Sequence, residues 1–214
     1  MAVGRRQTTC LLPLPTIYFF PMARPKAFAE QDALHAAMET FWRKGYHHTS
    51  MQDLVDSMGI NRASLYDTFT DKHTLYLNAL ERYRDLNCAD MAEAIAGAST
   101  AQAKIRAIFD RAIAEMLDDQ EHKGCFMTNA TLEMLPHYAD VQAVIAGNLA
   151  QLDTTFRQLV NAGIATGEFS ITHSVDEVVF FLMSQLSGIR VLGKAIPNEP
   201  MLNRVVELAL TILE

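Results

Sequence analysis

Strand signals are nearly absent from this chain of 214 residues, which argues against a sheet-based fold. Glycine and proline are sparse, 10 and 7 in all, and low over the middle of the sequence, while half of the residues are apolar. General disorder is thereby excluded and compact helical structure expected, with enough length for one large or two small domains. Only three cysteines occur, Cys10, Cys88 and Cys125. They are too scattered for a zinc pattern and form no disulfide framework, which points to a reducing compartment. His47 and His48 lack a second metal-type residue at helical spacing and read as solvated loop histidines, so no metal or cofactor is expected. The apolar run from Cys10 to Phe20 contains Pro13 and Pro15 and, at about 11 residues, is too short to span a bilayer.

A strong positive charge is missing too. The net charge is −7, distributed unevenly: through Lys72 there are eight Lys and Arg against seven acids, and beyond it ten against eighteen. A balance of +1 followed by −8 leaves any phosphate attraction in the first part to a few placed groups and helix N-termini rather than to a broad basic field.

What the chain does have is a pair of short helices between Gly45 and Lys72. Ser50 is placed to cap a helix whose apolar face is Met51, Leu54, Val55 and Met58, at i, i+3, i+4, i+7 spacing. Gly59 permits the left-handed backbone that ends it, Ile60 faces the core, and Asn61 caps the next segment, Asn61 to Phe69. In that segment Ile60, Leu65 and Phe69 are inward anchors, while Arg62, Ala63, Ser64, Asp67 and Thr68 face outward. A helix over roughly Glu30 to Lys44, with Leu34, Ala37, Met38 and Phe41 inward and Gly45 as its stop, precedes both. Three helices with a tight turn between the second and third match the helix-turn-helix arrangement.

The pattern T-S-x-x-D-L-x-x-x-x-G-I-N-x-x-S-L-Y-D-x-F-x-x-K, preceded by F-W-x-K-G-Y, resembles the DNA-binding domain of TetR-type transcriptional regulators over Ala33 to Leu80. The segment G-C-F-x-x-N-x-x-x-E from Gly124 to Glu133 is similar to the AcrR-like branch of that family. The resemblance implies an all-α protein with an N-terminal three-helix helix-turn-helix DNA-binding domain at residues 22–71 and a C-terminal helical ligand-binding and dimerisation domain at 72–214. Residues 1–21 are expected to be disordered or to precede the true start, since Met22-Ala23-Arg24-Pro25 looks like a usual beginning for the family.

The same likeness implies a cytoplasmic, homodimeric one-component repressor that binds a double-stranded DNA operator and is released by a small-molecule effector. It assigns base contacts to Arg62, Ala63 and Ser64, with Gln52 as an extra contact, and phosphate contacts to Thr49, Ser50, Tyr66, Thr68 and Lys72. Arg62 is the strongest reader, because its fork can bind a guanine edge at two points. For Ser50 capping alone, and for Tyr66 a core position, are the competing explanations.

Beyond the reading head, helices are expected over Lys72 to about Ile95 (Leu75, Ala79, Leu80, Tyr83 and Leu86 inward), Thr100 to Asp118, Phe126 to Leu135, Ala139 to Ala165, Val175 to Leu192 and Pro200 to Leu213, with Pro136 as a break. The last two are apolar on more than one side. That excess favours a partner surface, which the resemblance makes a dimer interface presenting two heads about one DNA turn, ~34–36 Å, apart to a pseudo-palindromic operator. Candidate pocket residues are Phe109, Ile113, Met116, Cys125, Phe126, Asn129, Glu133, Phe156 and Phe180, with ordinary core packing as the competing reading.

Cys125 admits two readings: a thiol at a helix N-terminus near Lys123 and His122, its thiolate favoured, which some members of the branch use to sense oxidants or electrophiles, or a buried packing residue. An enzyme with Cys125 as nucleophile and His122 or His137 as base lacks a third group to orient the base and donors for developing charge, so no catalytic residue is assigned. An architectural DNA-binding protein would not need so large a helical second part.

Overall fold

The structure, a computed structural model, describes residues 26–135 and 137–214. The expectations for residues 1–21, for Met22 and for Pro136 lie outside the described residues. Within them the chain forms nine α-helices and no strand: α1 (Lys26–Lys44), α2 (Met51–Met58), α3 (Arg62–Phe69), α4 (Lys72–Ala96), α5 (Ala101–Asp118), α6 (Phe126–Met134), α7 (Ala139–Ala165), α8 (Val175–Ala195) and α9 (Glu199–Leu210), followed by a 3-10 turn over Thr211–Leu213.

Local side-chain chemistry starts most of these helices. Ser50 and Asp53 form a reciprocal capping box on α2, Asn61 accepts from the Ser64 N–H, Asp71 from Thr74 and Thr100 from Ala103, and Ser174 with Glu177 forms a second box on α8. Each such cap contributes on the order of 1 kcal/mol by satisfying donors a helix end otherwise leaves open. The first turn of α5 gains a further acceptor from far away: Glu168, just past α7, accepts the N–H groups of Ala101 and Gln102 at 2.9 and 2.8 Å.

Two apolar cores result. One joins the inner faces of α1 to α4, including Phe41, Leu54, Leu65, Phe69, Tyr76 and Leu80, to Cys125, Phe126, Met127, Ala130 and Met134 of the α6 region and to Val141 and Ile145 of α7. The other lies among α5, the second half of α7, α8 and α9, around Phe109, Phe156, Val179, Leu182 and Val206. The α6 segment, distant in sequence, is therefore part of the core under the helix-turn-helix.

Leu86, expected to face inward, is 37% exposed. By that point α4 has left the first core, and Leu86 instead borders a cavity described below. On α8, Val178, Val179, Leu182, Leu186 and Ile189 are buried, while Phe180 and Leu192, Ile196 just past its end, and Met201 and Leu208 of α9 are exposed. By length and composition α8 is apolar enough to cross a bilayer. Its buried stripe, however, packs within the second core, and only one side remains for another partner.

The turn after α7 is packed so closely that one hydrogen atom in place of a methyl is required. A Cβ at Gly163 would meet the buried Phe169 ring at 2.2 Å, and the Glu168 and Phe169 N–H groups both bond the Gly163 carbonyl. Gly163→Ala gains ~1 kcal/mol of helix propensity but costs roughly 1–3 kcal/mol through overpacking. The expected outcome is a lower urea midpoint at unchanged slope; a midpoint equal to or above that of the parent would show that the ring moves away without cost.

Candidate nucleic-acid interface

The helix-turn-helix is tied down at its loops. Gly45 takes a left-handed φ of 79° at the end of α1, and its N–H bonds the Phe41 carbonyl at 2.8 Å. Lys44 donates to Asp53 at 2.6 Å, fixing the end of α1 to the start of α2. The Lys44 ammonium, with the Ser50 N–H and hydroxyl, holds the Asp53 carboxyl well below the usual carboxylate range. Between α3 and α4, Thr70 adopts φ 64°, a left-handed conformation uncommon for a β-branched residue, and its N–H bonds the Tyr66 carbonyl at 3.0 Å. The angle between the third helix and the long α4 is set by this two-residue turn.

On α3, Leu65 and Phe69 are buried, and Arg62 and Ala63 stand exposed with Ser64 and Thr68 half-buried beside them. A small, polar, unobstructed flank is thus presented away from the core. Tyr66 is 43% exposed, which weighs against the reading of it as a core residue. Gln52 is exposed on α2, its amide donating to Asp56 at 2.8 Å. The Ser50 hydroxyl is exposed but engaged in the capping box.

Thr49 is a correction. It is 1% exposed, and its hydroxyl donates to the Gly45 carbonyl at 2.6 Å, so the side chain closes the loop from within instead of reaching outward. Lys72 is half-buried, its ammonium 4.4 Å from the centre of the Tyr46 ring. Burial pushes it below the ordinary lysine range, against the opposing pull of the Glu133 and Asp53 carboxylates.

The nine pocket candidates fall into several places. A cavity of about 620 Å³ opens between α1, α4, α5 and the 118–124 loop, and of the nine only Met116 lines it. Phe126, Asn129 and Glu133 border a smaller cavity of about 400 Å³. Phe109, Ile113 and Phe156 are closed within the second core. Phe180 is 74% exposed and borders neither cavity, because the inward stripe of α8 begins at Val178 and Val179 and turns Phe180 to the opposite side.

Glu133 has a use that its sequence context did not disclose. Its carboxylate accepts the backbone N–H groups of Tyr46 and His47 at 3.0 and 2.9 Å, so α6 grips the loop that leads into α2. A Cβ at residue 45 would meet the same carboxylate at 2.9 Å, a second reason for glycine there. Further along, His73 at the start of α4 lies 2.6 Å from Asp140 at the start of α7. Asn129 donates to the Lys123 carbonyl at 2.7 Å and accepts from Lys194 at 3.3 Å.

Cys125 is buried at the N-terminus of α6, where the Tyr83 hydroxyl donates to its sulfur at 3.6 Å. Burial pushes the thiol up, but the Arg190 guanidinium and hydrogen bonds from Thr128 and Tyr83 outweigh it, and the net displacement is downward. The cation responsible is Arg190 of α8, not the adjacent Lys123 that sequence proximity suggested: the Lys123 ammonium points to Glu39 and Trp42 instead. No sequence signal links position 190 to position 125.

Residues 33–79 match the family model described as bacterial regulatory proteins, tetR family, and residues 101–208 match the model for the tetracyclin repressor-like C-terminal domain. The chain is 30% identical over 169 residues to the HTH-type transcriptional repressor ComR of Escherichia coli, covering 78% of this chain and 80% of that one. It is 33% identical over 135 residues to the uncharacterized HTH-type transcriptional regulator YezE of Bacillus subtilis, covering 63% and 70%. Among solved structures it is similar to a cysteine mutant of the TetR-family regulator CifR complexed with a 26-base-pair double-strand operator, at 28% identity and a TM-score of 0.78 over 90% of this chain and 100% of that one.

Glu133→Ala removes a charged acceptor from two backbone donors at once, an effect on the order of 1–3 kcal/mol on the local opening of the loop. Amide exchange at Tyr46 and His47 is expected to accelerate about tenfold or more. DNA affinity should fall by a similar factor on every sequence, since the loop positions the reader without reading. Unchanged exchange at both amides would mean that the loop is held by something else.

Proposed function

This chain belongs to the tetR family of bacterial regulatory proteins, and from that premise we propose that it is a cytoplasmic one-component repressor, binding a pseudo-palindromic DNA operator as a homodimer and leaving it when a small molecule binds. Residues 22–71 are the DNA-binding part in this reading and 72–214 the ligand-binding and dimerisation part, with α6 crossing between them. The observation that carries the proposal is the outward flank of Arg62 and Ala63, both exposed, with half-buried Ser64 beside them, on a helix whose other side is anchored by Leu65 and Phe69. The exposed apolar side of α8 and α9 supports a self-complementary interface, since large exposed apolar patches on a regulator of this size are partner surfaces.

Contacts divide by role. Arg62, Ala63, Ser64 and Gln52 read base edges; Ser50, Tyr66, Thr68 and Lys72 meet phosphates, which sets register but carries no sequence information. Arg62→Ala should weaken specific binding by roughly 1–3 kcal/mol and relax the preference at one operator position, whereas Lys72→Ala should lower affinity for all sequences alike. Fluorescence anisotropy on an operator selected from random DNA, and on variants at each position, checks this. An equal loss on cognate and random DNA for the arginine change would reduce Arg62 to a phosphate contact.

A second reading, in which an oxidant or electrophile is sensed at Cys125, draws support from the Arg190 guanidinium and Tyr83 hydroxyl that favour the thiolate. N-ethylmaleimide supplies the test: the thiolate sulfur adds to one alkene carbon, forming an S–C bond, and the neighbouring carbon takes up a proton. The parent should lose operator binding on treatment, and Cys125→Ser should bind the operator normally and keep it. Release of the treated serine variant would leave Cys125 as a packing residue.

A further inference from the structure

We infer that the larger cavity is a binding site for an organic cation, and that Lys123 is an internal stand-in for it. The inference rests on the inducer reading above for its regulatory consequence, and on the cavity alone for its chemistry. Carboxylates dominate the lining: Glu39, Asp90, Glu115, Asp118, Asp119 and Glu121 stand against Arg111 and Lys123. Arg111 is occupied by Glu115 and Asp90. The Lys123 ammonium sits 4.1 Å from the centre of the Trp42 ring and 2.8 Å from the Glu39 carboxylate, while the Tyr83 ring meets Trp42 edge-on at 5.0 Å. An aromatic face with a carboxylate beside it is the arrangement that recognises a cation, and here the protein's own side chain fills it.

The cation best suited to replace lysine there is large and weakly hydrated. An ammonium must shed tightly held water to rest on an aromatic ring, whereas a quaternary or aryl-substituted cation sheds little and brings apolar surface to Met38, Leu86 and Met116 on the same wall. Displacement has a structural consequence. The 121–124 segment holds α1 at three points: Glu121 to Arg43 at 3.1 Å, Lys123 to Glu39, and the Gly124 carbonyl accepting from the Trp42 indole at 2.8 Å. A cation seated over Trp42 removes the middle contact and loosens the others, and α1 is the first helix of the reading head.

Trp42 is the single tryptophan and borders both cavities, whereas Glu39 and Lys123 line only the larger, so quenching that responds to substitution of those two residues reports on this site. The full-length protein is titrated with tetraphenylphosphonium and, separately, with tetraphenylborate, which has the same shape and the opposite charge. Saturable quenching by the phosphonium alone is expected, with affinity about tenfold weaker in Glu39→Gln and severalfold tighter in Lys123→Met, which loses the internal competitor. Equal quenching by the borate, or phosphonium binding unmoved by both substitutions, would overturn the site. Operator release is read in parallel by anisotropy: tight phosphonium binding without release overturns the inducer reading of this cavity and leaves the cation site standing.

Discussion

A single carboxylate joins the part of the molecule that faces DNA to the part that does not. Glu133, at the end of α6, accepts two consecutive backbone N–H groups at Tyr46 and His47, donors that no helix or strand would otherwise satisfy. The bonds are charge-assisted and act on backbone, so they fix where the chain runs and not merely where a side chain rests. Gly45 is required beside it because both its φ and its contact with the carboxylate exclude a side chain. Thr49 then closes the same loop onto the Gly45 carbonyl, and α2 starts two residues later, after its cap Ser50. The entry to the helix-turn-helix is thus defined by a residue almost ninety positions away.

The G-C-F-x-x-N-x-x-x-E segment acquires a physical meaning from this arrangement. Its polar members stand at i, i+4 and i+8, which places them along one side of α6. Cys125 meets Tyr83 of α4 and the charge of Arg190 from α8, Asn129 ties the Lys123 carbonyl to Lys194, and Glu133 holds the head loop. Phe126, Met127, Ala130 and Met134 join Cys125 in the first core. One short helix therefore touches α4, α8 and the reading head together. A rigid body of that kind transmits a shift because a close-packed core offers it few intermediate positions.

What the sequence discloses is governed by the range of the interaction. The starts of α2 and α3 were legible because caps act over three residues: Ser50 and Asn61 each bond a donor three positions on, and the structure adds the same device at Thr100 and Ser174. The inward faces of α2 and α3 followed from periodicity. The errors arise where a third element decides. Leu86 continues the apolar spacing of α4 but has passed the end of the core; Thr49 resembles a phosphate donor until Gly45 folds back within reach of its hydroxyl; Phe180 belongs to an apolar block whose inward stripe is set by α5 and α7. The partners of Glu133, Lys123 and Arg190 are separated from them by more than sixty residues, and no local pattern encodes such pairings.

The magnitudes suit a switch better than a fixed scaffold. Coupling between an effector and an operator of 1–3 kcal/mol changes affinity by about 5- to 150-fold, enough to clear a promoter. The three contacts between the 121–124 segment and α1 are of that scale: an exposed ion pair such as Arg43–Glu121 is worth about 0–1 kcal/mol, and a neutral hydrogen bond such as Trp42 to the Gly124 carbonyl about 0.5–1.5. Deep burial of the same groups would make the clamp too costly to open, and full exposure would leave it too weak to matter. Under the proposed function, a near-neutral head would hold the operator by a few well-placed contacts, and a small displacement of α1 that misplaces them would release it. Affinity set by position, and not by a broad basic field, is what makes so modest a clamp effective.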